Sequence, residues 1–346
     1  MKTVSTRIFP LSLREKRADE TISRERADVG GIVANVSTDM PSPQHARGRE
    51  AFLRKQAGDL WLNLLFWQAR RNPAFLGACR PFFLSAAWKF AGQMRDNTLC
   101  NAHHLLGEQS SRSDREALAK AIIGSFYDFV CDVGKSAGMT RGQLLGRIHE
   151  VHGHDCYRAA RAEKRGAIIL TAHMGSFEVG MAALLEYEKR LHVLFRRDEL
   201  RLFEQIRSSL RKRLGVIEAP VDDGLAVWIR LRDALAADEV VLIQGDRVMP
   251  GQKGRAMPIL GGNLPLPTGP VRLALVTGAP IVPVFSIRRP HGQIELFIEP
   301  PIRVPDGRAV DSAFEQVAAV LAKYLRRYPQ QWLMIRRAWC EDCCGN

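Results

Sequence analysis

Residues 166–180 read GAIILTAHMGSFEVG: a short apolar run, a histidine, two small residues, and a helix-like segment with a glutamate five positions after the histidine. The run Ala167, Ile168, Ile169, Leu170 is apolar on both faces, as in a strand buried within a parallel sheet. Gly175 lets the chain turn, and Ser176 stands where it can cap a helix continuing to Leu184. On one continuous helix His173 and Glu178 would lie roughly 140° apart and never meet. The spacing therefore predicts His173 in the strand-to-helix turn and Glu178 one turn into the helix, its carboxylate reaching back to the imidazole. A neutral histidine held in one tautomer by a carboxylate is a general base for a hydroxyl. Backbone N–H groups near Gly175 and Ser176, at the helix start, are expected to be free to stabilise an oxyanion.

Outward from this stretch, strand and helix patterns alternate in the doubly wound manner. Strands are predicted over 148–152, 192–195, 215–219, 240–243, 281–287 and 294–298. Helices are predicted over 113–138, 200–214, 225–236, 269–277 and 312–328. The fold class is α/β, a mixed, mostly parallel sheet flanked by helices, with an N-terminal helical region. Ligands gather at the carboxyl ends of such strands, and His173, Arg196 and Asp246 each follow one.

The guanidinium of Arg196 offers a planar fork suited to a phosphate or carboxylate. Two readings of Asp246 and Arg247 stand side by side: a pair that shapes the site and contacts a substrate head group, or a structural salt bridge. Arg207, Arg211, Lys212 and Arg213 form either a solvated helix face or a landing surface for an acidic partner. Ser176 lacks the G-x-S-x-G setting of a nucleophile, which favours single-step chemistry at His173. The loop 249–255, MPGQKGR, lacks the GxxxxGK[ST] pattern of a nucleotide cradle, and 264–270, LPLPTGP, reads as a rigid turn.

The chain of 346 residues is 46% hydrophobic, enough for one large α/β domain with a helical extension. Its net charge of +13 favours an acidic partner: anionic lipid, a phosphorylated acceptor, an acidic carrier protein or nucleic acid. Aromatic residues are not interleaved with the basic runs and no helix-turn-helix or RNP motif is present, which disfavours nucleic acid. Seven cysteines without regular spacing suit reduced thiols in a cytosolic compartment. The terminal CEDCC has no second Cys or His pair to complete a zinc site.

Residues 1–48 are poor in large apolar side chains and read as a disordered or loose arm, and their first twenty are too interrupted for a secretory signal. Residues 51–92 are helical and aromatic, with Trp61, Phe66, Trp67, Phe82, Phe83, Trp88 and Phe90 interrupted by Arg70, Arg71, Arg80 and Lys89. No run reaches the roughly 18 apolar residues of a spanning helix, and the pattern suits either a core helix pair or an interfacial element. HEVHGHDC, residues 149–156, carries metal-ligand residue types, but its strand-then-helix pattern favours an ordinary structural reading without a metal.

Several pieces, taken in order, resemble the bacterial lipid A late acyltransferases of the lysophospholipid acyltransferase superfamily. TAHMGSFEVG is similar to their H-x4-D/E motif, Phe195-Arg196 to a Tyr-Arg after the next strand, and 207–215, RSSLRKRLG, to a basic helix ending in glycine. LIQGDR at 242–247, MPILG at 257–261, LPTGPVRLA at 266–274, GAPIVPV at 278–284 and YPQQW at 328–332 continue the likeness. Two features depart from it: there is no apolar spanning helix at the start, and Val248 stands where an acidic residue often follows the Asp-Arg pair.

The resemblance implies a glycerolipid-acyltransferase-like fold, with one acyltransferase domain over 49–346, helical to 140 and catalytic over 141–335. It implies transfer of a fatty acyl chain from an acyl carrier protein or coenzyme A thioester to a hydroxyl of a lipid or glycolipid. His173 would be the base and Glu178 its partner, with Arg196, Asp246, Arg247, Gly175 and Ser176 around the substrate. No cofactor and no metal are implied, and the expected place is the cytoplasmic, inner face of the plasma membrane, on an anionic surface. A thioester or ester hydrolase using the same site is the nearer alternative, and a basic nucleic-acid-binding protein the more distant one.

Overall fold

The computed structural model describes residue 64 and residues 67–69, 71–198, 201–249 and 251–339. The expected arm over 1–48, most of 51–66 and the terminal CEDCC lie outside the described residues. Among the described residues, positions 64, 67–69 and 71 are helical, and the helices α1 (Pro73–Phe90), α2 (Gly92–Leu106) and α3 (Arg112–Ser136) follow. The start of α3 is fixed by a capping box, in which Ser111 Oγ accepts from the Asp114 N–H while the Asp114 carboxylate accepts from the Ser111 N–H. A short α4 (Arg141–Leu145) leads into β1 (Ile148–His152) and α5 (His154–Ala162).

The α/β part continues with β2 (Ala167–Thr171), α6 (Phe177–Leu184), β3 (Leu191–Phe195), α7 (Arg201–Leu214), β4 (Ile217–Pro220), α8 (Leu225–Ala236) and β5 (Val240–Gln244). After β5 come β6 (Gly254–Ile259), β7 (Gly262–Pro267), α9 (Gly269–Thr277), β8 (Ile281–Arg288), β9 (Ile294–Ile298) and α10 (Val310–Arg327). Seven strands form one sheet in the order β1-β9-β8-β2-β5-β3-β4, parallel throughout except where β8 meets β9. This is the mixed, mostly parallel sheet that the alternation predicts.

Successive residues of a strand point to opposite faces, so strands apolar at every position feed two cores. Ile168, Leu170, Val241 and Ile243 pack on one side with α8, α9 and α10. Ala167, Ile169, Val240 and Leu242 pack on the other with α5, α6 and α7. A third, aromatic cluster joins Tyr127 and Phe129 of α3 to Phe177 of α6 and Phe203 of α7. It sets the N-terminal helices against the helix that follows His173.

One region departs from its reading. Residues 264–267, expected as part of a rigid turn, form β7, the second strand of an antiparallel hairpin with β6. Leu260 and Gly261 make the two-residue turn, both at positive φ. Pro258, Pro265 and Pro267 are tolerated because each strand of a two-stranded ribbon keeps one edge that needs no ladder donor.

Candidate active site

Thr171 of β2 lies opposite Gln244 of β5 in parallel register. The chain leaving each strand therefore emerges on the same edge, and the residues two positions on, His173 and Asp246, meet. His173 Nδ1 stands 2.8 Å from Asp246 Oδ1. The other oxygen, Oδ2, accepts from the His173 backbone N–H at 3.1 Å and from Trp332 Nε1 at 2.8 Å. The Asp246 side chain is fully buried, whereas that of His173 is 20% exposed.

Arg247 Nη2 lies 3.1 Å from His173 Nε2. A guanidinium only donates, so Nε2 presents its lone pair and Nδ1 carries the proton given to Asp246. Burial pushes the imidazole below its ordinary value, and the Arg247 and Arg207 charges push the same way, together outweighing Asp246. Burial alone would lift Asp246, but the imidazole, the Trp332 indole and the Arg247 charge outweigh it and hold the carboxyl at about 2. The result is a neutral imidazole beside an ionised carboxylate, its Nε2 lone pair accepting from Arg247.

The turn carrying His173 is held from two directions. On one side, residues 331–333 run across it: Leu333 N–H donates to the His173 carbonyl at 2.8 Å, Gly175 N–H to the Gln331 carbonyl at 3.3 Å, and Met174 bridges Trp332. Gly175 has φ +55°, and a Cβ there would sit 2.2 Å from the Ser286 carbonyl oxygen, so only glycine fits. On the other side, the Ser176 hydroxyl donates to buried Asp132, which also accepts from Arg147 at 2.6 Å. Ser286 Oγ donates to the Ser176 carbonyl at 3.0 Å.

Several expected contacts are placed differently. Glu178 does not reach the imidazole: it lies in the first turn of α6 and faces Arg207 of α7, Oε1 to Nε 3.3 Å. Burial raises its carboxyl despite that arginine. The register of β2 and β5 delivers Asp246 to the imidazole instead. Ser176 precedes α6 but its hydroxyl makes no cap bond, and the Gly175 N–H is spent on Gln331 rather than left for an oxyanion.

Arg196 stands one strand further out, loosely paired with Asp222 at 3.8 Å. The basic α7 face divides: Lys212 and Arg213 are exposed, while Arg207 and Arg211 point inward, Arg211 onto Glu204 and Glu218 and over the Phe195 ring. In the HEVHGHDC segment, His149 and Glu150 approach Glu295 of β9 with potential ligand atoms within 4.8 Å of one another, but Glu295 faces Arg289 at 3.3 Å.

Beside the pair opens an apolar cleft between the sheet and α6, lined among others by Thr171, Phe177, Gly180, Ala183, Val284 and Leu296. Phe177 joins cleft to pair, its ring edge-on to His173 with centroids 6.1 Å apart. Trp332 is the participant that sequence reasoning missed. Its signal was present in YPQQW, but nothing local shows that an indole 86 residues from Asp246 will meet it.

The arrangement is an imidazole oriented by a buried carboxylate, a group able to act as a general base, with an arginine on its second nitrogen. The profile of the bacterial lipid A biosynthesis acyltransferases matches residues 48–341, and the chain belongs to that family. It is an acyltransferase. Comparison with curated proteins gives no match.

Proposed function

We propose that the enzyme moves a fatty acyl chain from an acyl carrier protein or coenzyme A thioester to a hydroxyl of a lipid or glycolipid of the lipid A type. The observation that carries this reading is the His173–Asp246 pair, with the Nε2 lone pair directed away from the carboxylate. His173 Nε2 takes the hydroxyl proton as the oxygen attacks the thioester carbonyl carbon. The C–S bond then breaks, and the imidazolium returns its proton to the departing thiolate. Asp246 holds the ring and stabilises the transient imidazolium, as the carboxylate of a triad does. The step needs no cofactor, since the thioester itself supplies the leaving group.

The apolar cleft beside Phe177 suits the acyl chain, because its walls are carbon on both the sheet and the α6 sides. Arg247 suits an anionic head group. Phe75, Phe82 and Phe90 of α1 are 49%, 73% and 78% exposed, and Lys89 lies over the Phe90 ring. Exposed aromatics beside basic residues suit an anionic membrane surface, here taken as the inner face of the plasma membrane. No helix among the described residues is long and apolar enough to cross a membrane.

The test is transfer of radiolabelled acyl groups, from carrier-protein and coenzyme A thioesters, into a total lipid extract. The expected result is a labelled lipid made by wild type and lost in His173→Ala with the fold intact. Transfer that persists undiminished in His173→Ala overturns the reading, and free acid released regardless of acceptor marks a hydrolase.

A further inference from the structure

Arg247 sits where the substrate proton must go. Its Nη2 donates to His173 Nε2 at 3.1 Å, and among the described residues that is its one hydrogen bond. The Asp246 carboxylate next to it is taken up by His173 and Trp332. Arg247 Nε is buried and unpartnered among the described residues. Two further guanidinium groups act on it, exposed Arg336 and largely buried Arg207, and both disfavour its charge. Asp246 and Asp198 favour it. A cation held by one neutral imidazole nitrogen, with a spare buried N–H and other cations close by, is a group that an arriving anion draws away.

We propose that Arg247 is a displaceable plug on the catalytic base: it occupies Nε2 in the empty enzyme and swings onto a phosphate group of the bound substrate, freeing the lone pair. The inference rests on the acyl-transfer reading for its purpose, but its geometry stands on Arg247 and His173 alone. While the plug is in place, neither a hydroxyl nor water can give its proton to Nε2. Where that phosphate is the acceptor's, an acyl thioester bound alone is therefore protected from hydrolysis. When the phosphate arrives, the guanidinium moves to it, and the freed Nε2 takes the proton of the attacking hydroxyl. The phosphate belongs either to the acceptor head group or to the pantetheine arm of the donor.

The experiment follows the rate at which diethyl pyrocarbonate, which attacks an imidazole nitrogen with a free lone pair, modifies His173 in the full-length protein. Peptide mass spectrometry reads it, with exposed His149 of the same molecule as internal standard. Removing a charge-assisted hydrogen bond from Nε2 corresponds to about tenfold or more in lone-pair availability. Read well above pH 6.5, where the imidazole is neutral with or without the Arg247 charge, Arg247→Met is expected to be modified about tenfold faster than wild type, since the variant keeps the apolar stem and loses the donor. Inorganic phosphate is expected to accelerate modification of wild type, where no variant is involved, and to leave Arg247→Met unchanged.

Glucosamine 6-phosphate and pantetheine 4′-phosphate then distinguish the sources: acceleration by the first assigns the anion to the acceptor, by the second to the donor. In parallel, where glucosamine 6-phosphate is the accelerating compound, acceptor-free hydrolysis of the acyl thioester should rise in Arg247→Met. Equal modification rates in wild type and variant overturn the proposal, as does a wild-type rate that no phosphate compound changes. If modification follows the prediction while no acyl donor yields a lipid product, the acyl-transfer reading fails and the plug stands. If transfer is observed but modification is indifferent to Arg247 and phosphate, the plug alone fails.

Discussion

Trp332 and His173 bind the same oxygen: the indole N–H of the one, at 2.8 Å, and the backbone N–H of the other, at 3.1 Å, both end on Asp246 Oδ2. With Nδ1–H on Oδ1, a fully buried carboxylate is satisfied by three donors and has one orientation left. Trp332, wholly buried, thereby positions the proposed base through that carboxylate.

Replacing Trp332 by phenylalanine keeps most of the ring and removes the donor. Leaving a buried charged acceptor short of one bond costs roughly 1–3 kcal/mol, and we expect transfer to fall about tenfold. The Asp246 carboxyl, held at about 2 against an ordinary 3.8, should rise. Because its folded value is depressed, this group contributes stability above pH 3.8 that is lost as pH falls toward 2, roughly 2 kcal/mol by linkage. Acid unfolding of Trp332→Phe should therefore begin at higher pH than that of wild type.

The pH profile of transfer follows from the imidazole. Burial holds His173 below its ordinary 6.5, so the base stays neutral at pH 7 and loses function only on the acid side of 6.5. The sign for stability agrees: between the folded value and 6.5 the unfolded chain binds the extra proton, so stability falls as pH falls through that window. An acid limb in kcat/KM above 6.5 would contradict this account.

Glu178 and Arg207 are 5% and 15% exposed at their side chains and face each other. Removing the carboxylate leaves a guanidinium among Phe177 and Phe203, so Glu178→Ala should lose about 3–5 kcal/mol in thermal unfolding. A joint Glu178→Leu and Arg207→Met substitution should recover most of it, since it removes both charges. The acid limb of activity should move little in either protein.

On the proposed reading, the cleft limits chain length. Ala183→Leu adds carbon to its α6 wall, and transfer of the longest accepted acyl chain should fall about tenfold relative to shorter ones, in the range that methylene-sized steric changes bring. Competition between thioesters of graded length reads it; an unchanged preference places the chain elsewhere.

On α1, Phe82→Glu and Phe90→Glu should each weaken sedimentation with anionic vesicles about tenfold or more, the scale of one buried aromatic side chain. Binding unaffected by both substitutions would remove α1 from the membrane contact.

The sheet was legible because its strands are short runs apolar at every position, punctuated by helices of contrasting period, as in 167–170 and 240–243. The hairpin at 254–267 was hidden by its three prolines, which read locally as turns. His173 was legible from its place after a buried strand, and so was Asp246. Their meeting was not, since it depends on β5 rather than β3 lying next to β2. Glu178 was assigned to His173 by nearness in sequence, but a residue in the first turn of a helix points where that helix packs, here onto α7. Arg207 and Arg211 look like surface charge in sequence because nothing local shows that Glu178, Glu204 and Glu218 surround them.

The most direct measurement is acyl transfer by Asp246→Asn beside Glu178→Gln, each checked for fold. An asparagine is nearly isosteric but can hold the imidazole in the wrong tautomer, and the loss known for such a change in a triad is of order 10⁴ in kcat. The account predicts a fall of about 10³ or more for Asp246→Asn and a much smaller one for Glu178→Gln. Near-normal transfer by Asp246→Asn, with activity abolished in Glu178→Gln, would contradict it.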